Sequence, residues 1–149
     1  MKRFIDVHTG EVVAGQGEVV LKSDTRMACL VIAAYDSARK VGGLAHARLA
    51  VNGLDQNADL SNVQDPSRAI DEMITDMTLL GARRDDIEVC LVTGENFPPC
   101  SEDAECCQNI NSTVDLLKKK CLRFSGNARW DRAHSHVSLD VESGNIVYA

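Results

Sequence analysis

Residues 23–36 read SDTRMACLVIAAYD, and after a short polar turn residues 41–49 read VGGLAHARL. From Cys29 to Ala34 the sequence is continuously apolar and includes two β-branched side chains, a composition typical of a strand buried on both faces. Asp36 to Lys40 predicts a polar turn, and Val41 to Leu49 predicts a second strand running back. The stretch therefore predicts a β-hairpin, with Cys29 at the start of one strand and His46 within the other.

Such a hairpin can bring the Cys29 thiol and the His46 imidazole together. A thiol acts as a nucleophile when it is deprotonated, and a nearby imidazole both takes that proton and later protonates a leaving group. The alternative is that Cys29 is a small buried apolar residue and that His46 is an ordinary hydrogen-bonded core or surface residue. The spacing of the two residues does not by itself decide between these interpretations.

The order of residues across the stretch carries more information than any single position. The informative positions, in chain order, are Ser23, Cys29, Leu30-Val31, Asp36, Val41-Gly42, Ala45-His46 and Leu49. They resemble the chemoreceptor glutamine deamidases of the CheD type, which carry a Thr, a glycine-rich turn, the nucleophilic Cys, an apolar strand, an Asp-containing turn, a Gly, Ala-His and Leu-Pro. The separation of 17 positions between Cys29 and His46 also fits this family.

The resemblance implies a function and three site residues. Cys29 is expected to attack the side-chain amide of a protein glutamine, His46 to act as base and acid, and Ser23, in place of the family's Thr, to orient His46. The same machinery also fits hydrolysis of a glutamyl methyl ester. The implied substrates are methyl-accepting chemotaxis receptors, the implied partner is a CheC-type phosphatase, and no cofactor or metal is implied.

Two departures from the family pattern support a second hypothesis. The residues before Cys29 are Thr25 to Ala28 and contain no glycine, and Ala50 stands where a Pro is expected. A turn without glycine does not readily adopt positive φ or bring bare backbone close to a substrate. The alternative is therefore a binding or scaffold module in chemotaxis signalling that keeps the fold and has weak or no catalytic activity.

Composition excludes several other classes of protein. The chain has 149 residues, 44% of them hydrophobic, and a net charge of −6, which fits one ordinary globular domain over residues 1–149. An acidic chain lacks the basic face that nucleic acid requires. Neither a signal peptide nor a run of membrane-spanning length is evident, so we expect a cytoplasmic protein without membrane insertion.

Six cysteines raise the question of a metal site. Cys100, Cys106 and Cys107 form a local cluster, but their spacing is not that of paired zinc ligands. An ordinary polar loop is the simpler interpretation, and a thiol-based redox or metal-sensing domain is a third hypothesis for function. Cys90 and Cys121 are expected to be buried and inert.

The remaining patterns predict the other elements of the fold. Asp65 as N-cap and Pro66 predict the start of a helix that ends at Gly81, with a core-facing apolar stripe from Ala69 to Leu80. A second helix is expected over residues 110–122 with Cys121 on its apolar side. Further strands are expected in the ranges 11–14, 17–21, 87–93, 136–141 and 146–148. Because no strand-helix-strand alternation is evident, these elements predict an α+β fold, an antiparallel sheet with helices packed outside. The resemblance implies the deamidase fold shared by the CheD proteins and the cytotoxic necrotizing factors, with an antiparallel β-sandwich-like core flanked by helices.

Overall fold

The computed structural model describes residues 2–8, 10–24, 29–48, 66–93, 113–129 and 136–148. These residues form an α+β fold in which two β-sheets pack face to face and helices cover the outer face of one of them. The α+β class expected from the sequence is confirmed.

The smaller sheet contains four strands in the described part of the chain. They are β1 (Arg3–Val7), β3 (Val19–Asp24), β8 (His136–Asp140) and β9 (Asn145–Tyr148), in the spatial order β1-β3-β8-β9. Strands β8 and β9 are antiparallel, so the expected terminal hairpin is present. Strand β1 was not predicted from the sequence.

The larger sheet contains β2 (Val12–Gln16), β4 (Cys29–Asp36), β5 (Val41–Arg48), β6 (Glu88–Thr93) and β7 (Arg123–Arg129), in the order β2-β5-β4-β6-β7. Strands β4 and β5 pair antiparallel, with Cys29 opposite Arg48 and Asp36 opposite Val41. The hairpin predicted from the opening stretch is therefore confirmed. Its two strands lie at the centre of the sheet, as their apolar sequence requires.

Two strand pairs correct the expectation of an antiparallel core. Strand β1 is parallel to β3, and β6 is parallel to β7. The chain between β6 and β7 includes helix α2 (113–119), so a strand-helix-strand connection exists where none was expected. Apolar patterning shows that a segment is a strand but carries no direction, which is why the sequence did not reveal these pairs.

The hydrophobic core has two layers, one on each face of the larger sheet. Between the sheets lie Val31 and Leu44 of the hairpin with Leu21, Val137 and Leu139 of the smaller sheet. On the other face, helix α1 (Pro66–Leu79) packs its buried residues against the sheet, and Leu117 of α2 joins the same layer; the buried residues of α1 are Ala69, Ile70, Met73, Ile74 and Met77. Alternate residues of β4 and β5 thus face the two layers, as strand geometry requires.

The two α-helices in the described part of the chain end in the same hydrogen-bonded arrangement, and a short 3-10 helix (Arg84–Asp86) follows α1. At the end of α1, Gly81 N–H donates to Thr78 O and Ala82 N–H donates to Met77 O, with φ of +107° at Gly81. At the end of α2, Cys121 N–H donates to Lys118 O and Leu122 N–H donates to Leu117 O, with φ of +57° at Cys121. These are Schellman motifs, in which the residue after the helix takes a left-handed conformation.

The helix ends correct two side-chain expectations. Leu80 follows the last helical residue and is 38% exposed rather than part of the core stripe. Cys121 is exposed rather than buried, because helix α2 has already ended and the chain reverses at this residue. The predicted N-cap at Asp65 lies outside the described residues. Within those residues, no helix is long and apolar enough to cross a membrane.

Candidate functional site

Ser23 and His46 meet between the two sheets. Ser23 lies near the end of β3 in the smaller sheet, and His46 lies near the end of β5 in the larger one. Their side chains are almost completely buried, and Ser23 Oγ lies 2.7 Å from His46 Nδ1. The hydrogen bond expected from the resemblance is therefore present and joins the two sheets.

The second hydrogen-bond partner of Ser23, the Val7 carbonyl, determines which group is the donor in the Ser23–His46 bond. Ser23 Oγ donates its single proton to the backbone carbonyl of Val7, 2.9 Å away in β1. A carbonyl only accepts, so the remaining role of the hydroxyl toward His46 is that of acceptor. The proton of the neutral imidazole then lies on Nδ1, and Nε2, which is buried, carries the lone pair. A base with this geometry takes a proton at Nε2.

The pairing of β4 with β5 places Cys29 close to His46. His46 lies opposite Val31 of β4, and Cys29 is two positions earlier on the same strand. Positions two apart in a strand lie on the same face, so Cys29 is the diagonal neighbour of His46. The Cys29 side chain is outside the described residues, as are Thr25 and the rest of the segment 25–28.

The contact between the Val7 carbonyl and Ser23 could not be predicted from the sequence. Strand β1 was not predicted, and a backbone carbonyl has no side-chain signature. The available signal was the apolar–polar–apolar run Ile5, Asp6 and Val7, which is too short to identify a strand. The contact is produced by the parallel pairing of Val7 with Ser23.

Asp36, the family-like aspartate of the hairpin turn, lies at the far end of β4 and serves the fold. Its carboxylate is fully buried and accepts hydrogen bonds from the backbone N–H groups of Arg83 at 2.9 Å and Ala38 at 3.1 Å, and from the Arg39 guanidinium at 3.2 Å. Burial acts to raise the pKa of Asp36, but these hydrogen bonds and the Arg39 charge hold it below its ordinary value. Asp36 thus fastens the β4–β5 turn to the connection after α1.

The other cysteines are not gathered around the site in the described chain. Cys90 is half-buried in β6, and burial raises the pKa of its thiol. Cys121 is exposed at the end of α2. Cys100, Cys106 and Cys107 lie outside the described residues, among which no group of three potential metal ligands is found.

Comparison with known proteins identifies the family. No family model matches the chain. A protein of Chlorobium luteolum named "Probable chemoreceptor glutamine deamidase CheD" is 30% identical over 150 residues, covering 95% of this chain and 70% of the relative. The chain belongs to the CheD family. The CheD relative from Methanococcus vannielii is 28% identical over 79% of the chain, and that from Pyrococcus abyssi is 26% identical over 98%. The chain is thus a divergent member of the family, and its likeness to these relatives extends over most of its length.

Proposed function

We propose that this protein is a cysteine-dependent protein-glutamine deamidase that acts on chemotaxis receptors. The observation that supports this most strongly is the buried hydrogen bond between Ser23 and His46. It orients a base in a chain whose relatives are named chemoreceptor glutamine deamidases, and Cys29 is the diagonal neighbour of that base. The proposed fold is the CheD deamidase fold in one domain over residues 1–149.

The first half of the reaction forms a thioester. His46 Nε2 removes the proton from the Cys29 thiol, and the thiolate attacks the side-chain carbonyl carbon of a substrate glutamine. A carbon–sulfur bond forms while the carbonyl electrons move onto oxygen, where backbone N–H groups next to Cys29 stabilise the negative charge. The carbon–nitrogen bond then breaks, and the imidazolium returns its proton to the departing ammonia.

The second half regenerates the thiol. His46 takes a proton from water, and the resulting hydroxide attacks the thioester carbon. The carbon–sulfur bond breaks, Cys29 recovers a proton from His46, and the substrate side chain leaves as glutamate. The net reaction consumes one water and releases one ammonia, and it needs no cofactor or metal. A glutamyl methyl ester would react by the same steps with methanol as the leaving group.

Ser23 acts as a positioning residue in this scheme. Accepting a hydrogen bond from Nδ1–H is possible for both the neutral and the protonated imidazole, so Ser23 holds His46 throughout the cycle. This hydrogen bond fixes the orientation of the ring and keeps a proton on Nδ1, so that Nε2 remains the nitrogen that accepts the thiol proton. Within chemotaxis signalling, we further propose a CheC-type phosphatase as a binding partner and the cytoplasm as the site of action.

The experiment is incubation of the purified protein with cytoplasmic fragments of chemoreceptors from the same organism. Peptide mass spectrometry should show selected Gln residues converted to Glu, and ammonia should accumulate in proportion. Cys29→Ala should fold and leave every glutamine unchanged. The glycine-free segment before Cys29 favours the alternative of a scaffold, and that alternative predicts receptor binding with no conversion by either protein.

A further inference from the structure

The turn that joins β1 to β2 binds both the N–H and the C=O group of the His46 backbone. Gly10 N–H donates to the His46 carbonyl at 2.7 Å, and His46 N–H donates to the Glu11 carbonyl at 3.1 Å. Gly10 and Glu11, which are consecutive on one strand, therefore both lie opposite His46 on the other. Gly10 has a φ of +86°. This is the arrangement of a G1 β-bulge, in which a left-handed glycine forms the first of the two bulged positions.

We propose that the Gly10–Glu11 bulge is a positioning element that aims His46 at Ser23 and, on the proposed function above, at the Cys29 thiol. A bulge bends its strand and increases the local twist, which changes the direction of the side chain opposite it. Pairing between β2 and β5 is regular from Val12–Ala45 onward. The irregularity is thus confined to the register position of His46.

The bulge is held in shape by Glu11. The Glu11 carboxylate accepts a hydrogen bond from His8 N–H at 2.8 Å, and Glu11 N–H donates to the His8 carbonyl at 2.9 Å. These two bonds close the turn on itself. The side chain of Glu11 is about half exposed, so its hydrogen bond is not needed to satisfy a buried group. Its effect is to restrict the conformation of the backbone that contacts His46.

The same short connection also holds the other member of the pair. Val7, three positions before Gly10, accepts the proton of Ser23. Ser23 is therefore fixed by the last residue of β1, and His46 by the two residues before β2. The turn between these strands sets the relative position of two side chains that belong to different sheets.

Glycine substitutions test the proposal because the chain offers a matched control at the other end of β2. Gly10 and Gly17 have φ of +86° and +76°, and neither has an atom within 4 Å of a Cβ built on it. A β-branched residue is strongly disfavoured at such φ values. Gly10→Val and Gly17→Val should both lower the melting temperature, whereas Gly10→Asn should preserve the bulge because Asn tolerates left-handed backbone.

The readouts are NMR of the His46 imidazole nitrogens, the pH profile of Cys29 alkylation, and the deamidation rate. In Gly10→Val we expect a mixture of His46 tautomers and a rate lower by about 10²-fold, the scale of a displacement near 1 Å. Gly17→Val and Gly10→Asn should retain the wild-type tautomer and pH profile. All measurements are made at a temperature where every variant is folded.

The proposal is overturned if Gly10→Val, like the control Gly17→Val, gives the His46 spectrum and the alkylation profile of the wild type. Should Gly10→Val fail to fold, Glu11→Ala takes its place, with Glu11→Gln as the variant that keeps an acceptor for His8 N–H. An unchanged His46 spectrum in Glu11→Ala would then overturn the proposal. The imidazole spectra require no substrate, so a wild-type protein without deamidase activity would refute the proposed function and leave this test intact.

Discussion

Ser23 acts on His46 through the direction of one hydrogen bond. Its own proton goes to Val7, so the hydroxyl accepts from Nδ1–H and leaves Nε2 as the basic nitrogen. In the proposed mechanism the Ser23 hydroxyl is supportive, whereas the proposed nucleophile Cys29 and the proposed base His46 act together in every step. The three site residues should therefore differ in the size of their mutational effects.

We predict that Cys29→Ala and His46→Ala each abolish most of the deamidation rate and that Ser23→Ala lowers it much less. General acid–base catalysis is typically worth about 10²–10⁴-fold, and loss of an orienting group removes only part of that. Ser23→Thr should stay close to wild type because it keeps the hydroxyl. Steady-state rates on one receptor fragment decide the order, and a Ser23→Ala defect as large as that of His46→Ala would contradict it.

The thiols should differ in reactivity at neutral pH. Cys29 is expected to react first with iodoacetamide because it has a proposed imidazole partner, and exposed Cys121 is expected to react before half-buried Cys90. The burial that raises the pKa of Cys90 reduces its thiolate fraction. Peptide mapping after a limiting dose gives the order of labelling. Labelling of Cys90 ahead of Cys29 in folded protein would contradict the prediction.

The sequence could name the side chains of the proposed site but not the backbone groups that contact them. Cys29, His46 and Ser23 could be named because a family order connects them. The carbonyl of Val7 and the bulge at Gly10 could not, since both depend on which strands become neighbours. Pairing partners are set by the whole sheet and are only weakly encoded at any one residue.

At the scale of elements, the two helix ends are a natural comparison. The same Schellman motif is made with a glycine at the end of α1 and with a cysteine at the end of α2. A residue with a Cβ pays a steric cost in this conformation that glycine avoids. The left-handed position at the end of α1 therefore holds a residue that suits it, Gly81, whereas the one at the end of α2 holds Cys121, which does not.

We predict that Cys121→Gly stabilises the protein by about 1 kcal/mol and that Gly81→Ala destabilises it by a similar amount. Cys121→Ala is the control, since alanine keeps the Cβ and should give no gain. Urea denaturation of the wild type and the three variants measures their free energies of unfolding. Equal stabilisation by Cys121→Gly and Cys121→Ala would show that the thiol, rather than the backbone conformation, carries the cost.

Helices and strands could be predicted where the apolar pattern of a segment and the residues at its ends indicated the same structure. Helix α1 was expected from Pro66, its apolar stripe and Gly81, and the β4–β5 hairpin from its apolar run. Strands β1 and β7 were missed: the first has five residues, and the second reads RFSGNAR with few apolar side chains. Such strands form because a neighbouring strand offers its edge, which is a tertiary effect.

At the scale of the whole molecule, Asp36 connects distant parts of the chain. It binds the β4–β5 turn to Arg83 after α1, and Arg39 extends the contact to Asp86 at 2.8 Å. Because hydrogen bonds lower the pKa of Asp36 in the folded protein, its ionised form stabilises the fold. That stabilisation is present above the unfolded aspartate pKa of about 3.9 and is lost as the pH falls through the lower folded value.

We predict that Asp36→Asn lowers the free energy of unfolding at neutral pH by roughly 1–3 kcal/mol, since it removes the charge and one acceptor from buried N–H groups. The difference from wild type should shrink as the pH falls from the unfolded aspartate pKa of about 3.9 through the lower folded value, where Asp36 itself becomes neutral. Denaturation curves over this range provide the measurement. A difference that is constant with pH would mean that packing, rather than charge, is what the substitution changes.

The central claim is that His46, oriented by Ser23, activates Cys29, and the rate of Cys29 alkylation as a function of pH tests it most directly. In the wild type, half-maximal rate should occur below the value of about 8.5 typical of a free thiol. In His46→Ala the midpoint should rise to that of a free thiol, and in Ser23→Ala it should lie between the two. A wild-type profile identical to that of His46→Ala would contradict the claim.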